Sequence, residues 1–366
     1  MKVVHVAEAF EGGIIEIMRL LSMHLPEFEH IIVYGNREIN TEDVQLTFPA
    51  NVRFINWHSA KREINVRNDI NAYRELKKIL KANLPFDALH LYSSKAGILG
   101  RIAGKFLGIK NILYSPQGAS FERQDISNFK KKIYGFIEKG ASLLPGKIIT
   151  ASKSEQKCFE EIGIHTECIY NGVSYDANFK KEFLEQDFTI VTSARMSEQK
   201  NPALFNSIAE AFQNNHRVKF IWIGDGPLKH ELTSPNITTT GWVAKEDVEK
   251  NLKNAHLYLS TALWEGLPLS VLEAMKFHLP LLLSNCVGNV DLVENDVNGY
   301  CYHTKEEAIQ FINHYLYKDG LLEKHGTGSF NMIRKNFSIE QMKEKFKEIY
   351  LSGVQEPSNS ILFDIS

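Results

Sequence analysis

Two carboxylates, Glu265 and Glu273, stand eight positions apart in the stretch Trp264-Glu-Gly-Leu-Pro-Leu-Ser-Val-Leu-Glu-Ala-Met275. Between them lie a Gly-Leu-Pro-Leu turn and the start of an apolar helical run. The residues before them, Leu257–Ser260, read as a buried strand, so the segment reads as strand, tight loop, helix. A helix that begins at a loop presents unpaired backbone N–H groups and the positive end of its dipole, a good seat for a phosphate. Glu265 falls at the helix mouth. Glu273 falls in the first or second turn, where a carboxylate accepts two hydrogen bonds from a diol such as ribose. The same pattern also describes a capped amphipathic helix with one Glu on its buried face, and neighbouring residues are needed to choose.

Those neighbours sit at other strand ends. After the predicted strand Phe188–Ala194 comes a loop with Arg195 and Lys200, just before a helix opening at Pro202. A planar guanidinium and an ammonium at a strand-to-helix junction suit a diphosphate, although a charged loop is more often simply solvated. After Val218–Ile223 comes Gly224-Asp-Gly-Pro-Leu228, which allows close backbone approach or only a turn. Gly241-Trp-Val243, after Thr238–Thr240, is a candidate backbone platform for a base. Gly288-Asn289 precedes another expected helix. Near the N-terminus Gly12-Gly13 follows the first strand and lets backbone approach a phosphate or sugar, or makes a tight turn. It is not Gly-x-Gly-x-x-Gly, which disfavours a nicotinamide cofactor. Two cations, glycine loops, a helix N-terminus and a diol-binding carboxylate together suit a nucleoside diphosphate carrying a sugar.

The elements that must position these groups alternate along the chain. Lys2–Ala7, His30–Tyr34, Asp87–Leu91, Asn111–Tyr114 and Lys147–Ala151 read as buried strands. Between them Ile14, Ile17, Met18, Leu21 and Leu25 share one helical face, as do Ile70, Tyr73, Leu76 and Leu80. After a polar segment, Tyr175–Asp187, the pattern restarts. Strands Phe188–Ala194, Val218–Gly224, Leu257–Ser260 and Leu281–Ser284 alternate with helices Pro202–Gln213, Lys245–Asn254 and Ser270–Phe277. Alternation of this kind predicts an α/β fold of two doubly wound parallel sheets, with ligands beyond the carboxyl ends of the strands. A last amphipathic helix, Ser338–Leu351, follows, and the tail Glu356–Ser366 is expected to be mobile or to dock loosely.

Composition bounds the reading. A chain of 366 residues suggests two domains. Lys plus Arg is 42 against 44 Asp plus Glu, a net charge of −2, which argues against a dedicated nucleic-acid binder. Cys158, Cys168, Cys286 and Cys301 are scattered without Cys-x-x-Cys and are expected to be reduced and mostly buried. No His-Glu-x-x-His, Cys/His cluster or Asp-x-Asp is present, so neither a structural metal nor an essential divalent ion is expected. No signal peptide precedes the first strand and no apolar run approaches the ~20 residues of a membrane span, which points to an intracellular protein.

The ordered set resembles glycosyltransferase family 4, the retaining nucleotide-sugar transferases of the two-Rossmann GT-B architecture. The resemblance covers nearly the whole chain: Gly12-Gly13, His90-Leu-Tyr-Ser-Ser-Lys-Ala-Gly97 with Arg101, the Arg195…Lys200 loop, Gly224-Asp-Gly-Pro-Leu228, Glu265 with Glu273, and Val297-Asn-Gly-Tyr300. It implies an acceptor-side domain over 1–178 and a nucleotide-sugar domain over 187–336, facing a central cleft. It also implies that 337–366 returns a helix to the first domain. It places Glu273 on the ribose, Arg195 and Lys200 on the diphosphate, and Glu265 with the amides of Gly266, Leu267 and Leu269 against the transferred sugar. Gly12, Gly13, Gly224 and Val243 would complete the donor site. The implied reaction transfers a hexosyl or N-acetylhexosaminyl group with retention, from a UDP-sugar ahead of a GDP-sugar, to a glycan or lipid-linked acceptor in surface polysaccharide, O-antigen or capsule synthesis. No cofactor is implied.

Two departures stand out. Many family members carry His-Gly where this chain has Gln117-Gly118. Gln hydrogen-bonds a sugar hydroxyl but does not titrate near neutral pH, so a positioning role is expected of Gln117. The second glycine before Val290 is replaced by Asn289. The segment Asn128–Leu144 interleaves Lys130, Lys131, Lys132 and Lys139 with Phe129, Ile133, Tyr134, Phe136 and Ile137. It reads either as a peripheral anchor on the inner face of a membrane or as a helix with one core face and one wet lysine face. A nucleotide-sugar 2-epimerase of the same architecture, or a non-catalytic partner that binds donor or acceptor, are the rival readings.

Overall fold

A computed structural model describes residues 1–35, 41–61, 65–183 and 187–352. The tail Glu356–Ser366 and part of the segment Tyr175–Asp187 fall outside them. The chain groups into two units. One comprises Met1–Ser115, Ala141–Ile148 and the last helix from Lys343. The other comprises Pro116–Gly140 and Ile149–Met342. Unit boundaries therefore cross the linear spans 1–178, 187–336 and 337–366 rather than following them.

The first half of the chain runs β1 (Lys2–Ala7), α1 (Gly13–His24), β2 (Glu29–Tyr34), α2 (Thr41–Gln45), β3 (Val52–Asn56), α3 (Val66–Ala82), β4 (Ala88–Tyr92), α4 (Ser94–Leu107), β5 (Ile112–Ser115), α5 (Asn128–Ala141), β6 (Lys147–Thr150), α6 (Lys153–Glu161) and β7 (Glu167–Cys168). Its sheet has the order β3-β2-β1-β4-β5-β6-β7, and its paired strands are parallel. β1 and β4 are nearly continuous buried runs, as a parallel sheet covered on both faces requires. α3 starts where Asn65 accepts hydrogen bonds from the N–H groups of Arg67 and Asn68. Its buried stripe is Ala72, Leu76 and Leu80. Ile70, expected on that face, is 45% exposed. It lies at the start of the second turn, and the four-residue spacing of the buried set turns Ile70 outward.

Polar groups thread the core of this unit. His30 Nε2 lies 3.1 Å from the Leu25 carbonyl oxygen, and His5 Nε2 lies 3.0 Å from His30 Nδ1. The Tyr92 hydroxyl sits 3.1 Å from His5 Nδ1 and 3.0 Å from His90 Nδ1. Tyr350 and Ser115 hydroxyls bracket His90 at 2.8 Å each. A carbonyl only accepts, so His30 donates from Nε2, His5 donates to His30, and Tyr92 donates to His5. Burial is the largest cause lowering the pKa of all three imidazoles, that of His90 to about 3.

The second half runs β8 (Phe188–Ser193), α7 (Pro202–Glu210), β9 (Val218–Ile223), β10 (Ile237–Thr239), α8 (Lys245–Asn254), β11 (Leu257–Ser260), α9 (Leu269–Lys276), β12 (Leu281–Ser284), β13 (Gly299–Tyr302), α10 (Lys305–Tyr317), α11 (Leu321–Asn336) and α12 (Ile339–Ser352). The sheet order is β10-β9-β8-β11-β12-β13, again parallel. One face is covered by Leu252 of α8, Val271 and Met275 of α9 and Ile333 of α11; the other by Phe205 and Ile208 of α7 and Ile312 of α10. Strand order reverses between β8 and β11, the crevice where wound sheets bind ligands. The four cysteines are free thiols, each half-buried rather than fully so.

Candidate functional site

The loops after β8 and β11 meet at this reversal. Lys200 Nζ makes an ion pair with Glu265 Oε1, and the Glu265 residue is only 7% exposed. Gln199 Nε2 donates to the Trp264 carbonyl at 2.8 Å and to Glu265 Oε2 at 3.3 Å. Thr261 Oγ1 donates to the Lys200 carbonyl at 2.7 Å, and the Leu263 amide donates to the Gln199 carbonyl at 2.8 Å. Burial works against the Lys200 charge, but the charge of Glu265 and their hydrogen bond outweigh it and hold the ammonium above the usual lysine range. The two loops are thus one rigid piece.

Arg195 is exposed in the same loop. Beside it the Gly224-Asp-Gly226 turn packs so tightly that a Cβ on Gly224 would lie 2.2 Å from the Ala194 carbonyl oxygen, and one on Gly226 would lie 2.4 Å from that of Met196. Those glycines brace the backbone on both sides of Arg195. Gly241 has φ +70°, and the two residues after it, Trp242 and Val243, are exposed. α9 begins after Pro268, which provides no side-chain cap and whose carbonyl accepts from the amides of Val271 and Leu272. Leu267 is buried, Leu269 half-buried, and Glu273 lies half-buried in the second turn. In the other unit Gly12 and Gly13 are exposed at the start of α1. There Ser93 takes a left-handed φ of +66° and hydrogen-bonds Glu8, a residue that motif reading passes over.

A third loop reaches Glu265 from earlier in the chain. Gln117 holds φ at +56°, a region a side-chain-bearing residue seldom occupies. Its Oε1 accepts from Asn171 Nδ2 at 3.2 Å, and Asn171 also donates to the Leu267 carbonyl at 3.1 Å. A Cβ on Gly266 would stand 2.8 Å from both the Gln117 carbonyl carbon and the Gly118 nitrogen. From the opposite side a Cβ on Gly288 would stand 2.7 Å from the Gly266 oxygen. The Glu265 amide donates to the Val287 carbonyl at 3.1 Å. Glu265–Gly266 is therefore held between Gln117–Gly118 and Val287–Gly288. Asn289, fully buried, donates from Nδ2 to Ser260 Oγ at 3.3 Å and to the Ser284 carbonyl at 3.1 Å, tying the ends of β11 and β12.

Both flanking loops are pinned to the first turn of α6, which motif reading did not single out. Glu155 Oε1 accepts from the Gly118 amide at 2.7 Å and its Oε2 from the Ala151 amide at 2.7 Å. Ser154 Oγ accepts from the Gly288 amide at 2.8 Å. Asp291 Oδ1 accepts from the Lys153 amide at 2.8 Å. The spacing Ser152-x-x-Glu155 is the available signal, since it has the form of a helix capping box. Ser152 does cap the helix, but Glu155 reaches the residue before the cap and a distant loop.

α5 differs from the core-facing alternative. Phe129 and Phe136 are 73% and 75% exposed, and Ile133 and Ile137 are also exposed. Its apolar residues stand among Lys130, Lys132 and Lys139, all in solvent. Among the described residues no helix is long and apolar enough to cross a membrane, and no group of three metal-ligating side chains is assembled.

Two Rossmann-like units with a site at the reversal of the second sheet define the GT-B class of fold, and comparison with known proteins agrees. Residues 174–325 match the model of glycosyl transferases group 1. The chain is 28% identical over 322 residues to an Escherichia coli UDP-Gal:alpha-D-GlcNAc-diphosphoundecaprenol alpha-1,3-galactosyltransferase, covering 80% of this chain and 82% of that one. It is 28% identical over 289 residues to the E. coli O-antigen biosynthesis glycosyltransferase WbnH, covering 76% and 80%. The Anabaena protein HepE, solved with UDP and glucose, superposes with a TM-score of 0.78 at 16% identity, covering 96% of this chain and all of that one.

Proposed function

We propose that this protein is a glycosyltransferase that moves a hexosyl or N-acetylhexosaminyl group from a UDP-sugar to a hydroxyl of a lipid-linked saccharide, with retention, during surface polysaccharide assembly. The observation that carries the reading is the Lys200–Glu265 pair. It locks a cation-bearing loop to the mouth of a helix that carries Glu273, inside the segment matching the transferase family model. Arg195 and Lys200 neutralise charge as it develops on the departing diphosphate. Glu273 holds the ribose, Val243 and its neighbours bear the base, and Glu265 with the amides of Gly266, Leu267 and Leu269 holds the sugar. The bond from the anomeric carbon to the phosphate oxygen breaks as the bond to the acceptor oxygen forms. The acceptor proton passes to the released phosphate, so no protein base and no essential divalent ion are assigned. The exposed aromatic and lysine face of α5 rests on an anionic membrane at the cytoplasmic side, where a lipid-linked acceptor lies.

Thermal unfolding against UDP-, GDP- and ADP-sugars, with chelator present, tests the donor. A ligand at ~100 times its Kd adds roughly 2.7 kcal/mol, a readable shift. The expected result is a shift with UDP-sugars that chelator does not abolish, and sugar transfer to a lipid-diphosphate saccharide in the same buffer. A protein that responds to none of them and turns over none of them is not this enzyme.

A further inference from the structure

We propose that Glu155 is a positioning residue for sugar transfer, holding the Gly118 amide so that the Gln117–Gly118 backbone presses on Gly266 and fixes Glu265 at the reacting end of the donor. The inference rests on the transferase reading and deepens it. Glu155 is fully buried, yet both of its oxygens accept backbone N–H groups at 2.7 Å. One belongs to Ala151, two positions before its helix; the other belongs to Gly118, thirty-seven positions away. Capping α6 needs neither, because Ser152 already accepts from the Glu155 amide at 3.1 Å. The long-range bond serves the loop. It steadies Gln117 at a φ of +56°, where the backbone would otherwise relax, and that loop leaves no room for even a methyl group on Gly266. The other side of Glu265–Gly266 is fixed from the same helical turn, through Ser154 to Gly288. One turn of helix thereby sets two walls around the carboxylate that faces the sugar.

The ionisation of Glu155 gives the test a specific signature. A carboxylate accepts both N–H groups, whereas a protonated carboxyl or an amide has one good acceptor and one donor to offer. Burial is the largest influence on its pKa. Together with Glu138 of α5 and Asp291 of the loop after β12, it outweighs the two backbone bonds and raises the value to about 7. Cys158 of the same helix and Cys168 of β7 also face it, with thiols pushed up to about 12 and about 11 that stay neutral in this range.

Glu155→Gln tests the proposal on the full chain, measured for transfer kinetics from pH 5.5 to 8.5 and for the UDP-induced shift in unfolding temperature. The expected variant folds, keeps the UDP shift and keeps its donor KM within about twofold. It loses about tenfold or more in kcat, as misplacement of a reacting group by about an ångström does. Wild-type kcat should fall as pH drops through about 7, and that limb should vanish in the variant. Turnover unchanged by the substitution, or a loss of kcat in step with the loss of folding and UDP binding, overturns the positioning role and leaves the transferase reading intact. A wild-type protein that turns over no nucleotide sugar overturns both.

Discussion

Lys200 and Glu265 form a pair whose members depend on each other unequally. Glu265 is the more buried, so removing its cation leaves a buried carboxylate with only the Gln199 amide to offset its charge. Loss of one partner of a fully buried pair costs ~3–5 kcal/mol, and because the Lys200 side chain is 21% exposed, Lys200→Met should cost about 2 kcal/mol in urea unfolding. The double variant Lys200→Met/Glu265→Met should regain most of that midpoint and still lack turnover. A double variant as unstable as the single one would mean that the pair is not what Glu265 leans on. Glu273 makes a sharper case. Glu273→Ala should raise the UDP Kd by about tenfold, roughly 1.4 kcal/mol, in a protein that still unfolds cooperatively. An unaltered Kd removes it from the ribose.

At the scale of elements, close backbone packing of loops works beside the side-chain ties. Gly266→Ala pushes a methyl group into backbone of the Gln117–Gly118 loop and should cost about 1–3 kcal/mol, with kcat falling more than donor affinity. Gly140, on α5 with open space around its Cβ position, is the control; Gly140→Ala should stabilise by up to about 1 kcal/mol and leave turnover alone. Equal effects at the two glycines would contradict this account. The same packing explains what can be read from the sequence. The run from Leu257 through Met275 is legible because a buried strand, a Gly-Pro turn and an apolar helix each carry a local signal, and α9 spans Leu269–Lys276 against the expected Ser270–Phe277. β13 is not legible as a strand because its four residues, Gly-Tyr-Cys-Tyr, are too short a run to stand out despite two strand-favouring tyrosines, and it forms beside β12. Glu155 is missed for a different reason. Its partner amide is remote in sequence, and no local pattern reports which distant loop a buried carboxylate will meet.

For the molecule as a whole, the imidazole chain from His30 through His5 to His90 makes the first unit a proton-linked structure. All three pKa values are depressed by burial, while the unfolded chain titrates near the ordinary histidine value. The unfolded state therefore binds more protons below about pH 6.5, and stability, complete above that pH, falls as pH drops toward the folded values. The slope approaches about 1.4 kcal/mol per pH unit for each imidazole. Unfolding midpoints measured at pH 7.5, 6.5 and 5.5 should fall across the last interval, where three imidazoles outweigh the opposing gain from Glu155, whose folded pKa is raised to about 7. His90→Asn, which removes one titrating ring between Ser115 and Tyr350, should flatten the fall while lowering stability at pH 7.5. Because Tyr350 belongs to α12, the loss at low pH should be felt at both ends of the chain together.

The second unit is assembled from Pro116–Gly140 and Ile149–Met342, whereas the stretch that matches the family model begins only at residue 174. Recombination sees the linear chain, and folding sees the unit. A gene crossover near residue 174 between this chain and a relative would carry across Arg195, Lys200, Glu265 and Glu273. It would leave behind Gln117, Gly118 and the helical turn from Ser152 to Glu155. Hybrids of that kind inherit the Lys200–Glu265 loops with walls selected in another protein, and the mismatch falls on backbone-to-glycine seams that have no slack. Crossovers that swap residues 116–140 together with everything from 149 to 342 keep those seams matched. Shuffled libraries of such enzymes should therefore yield working hybrids from paired exchanges far more often than from single ones.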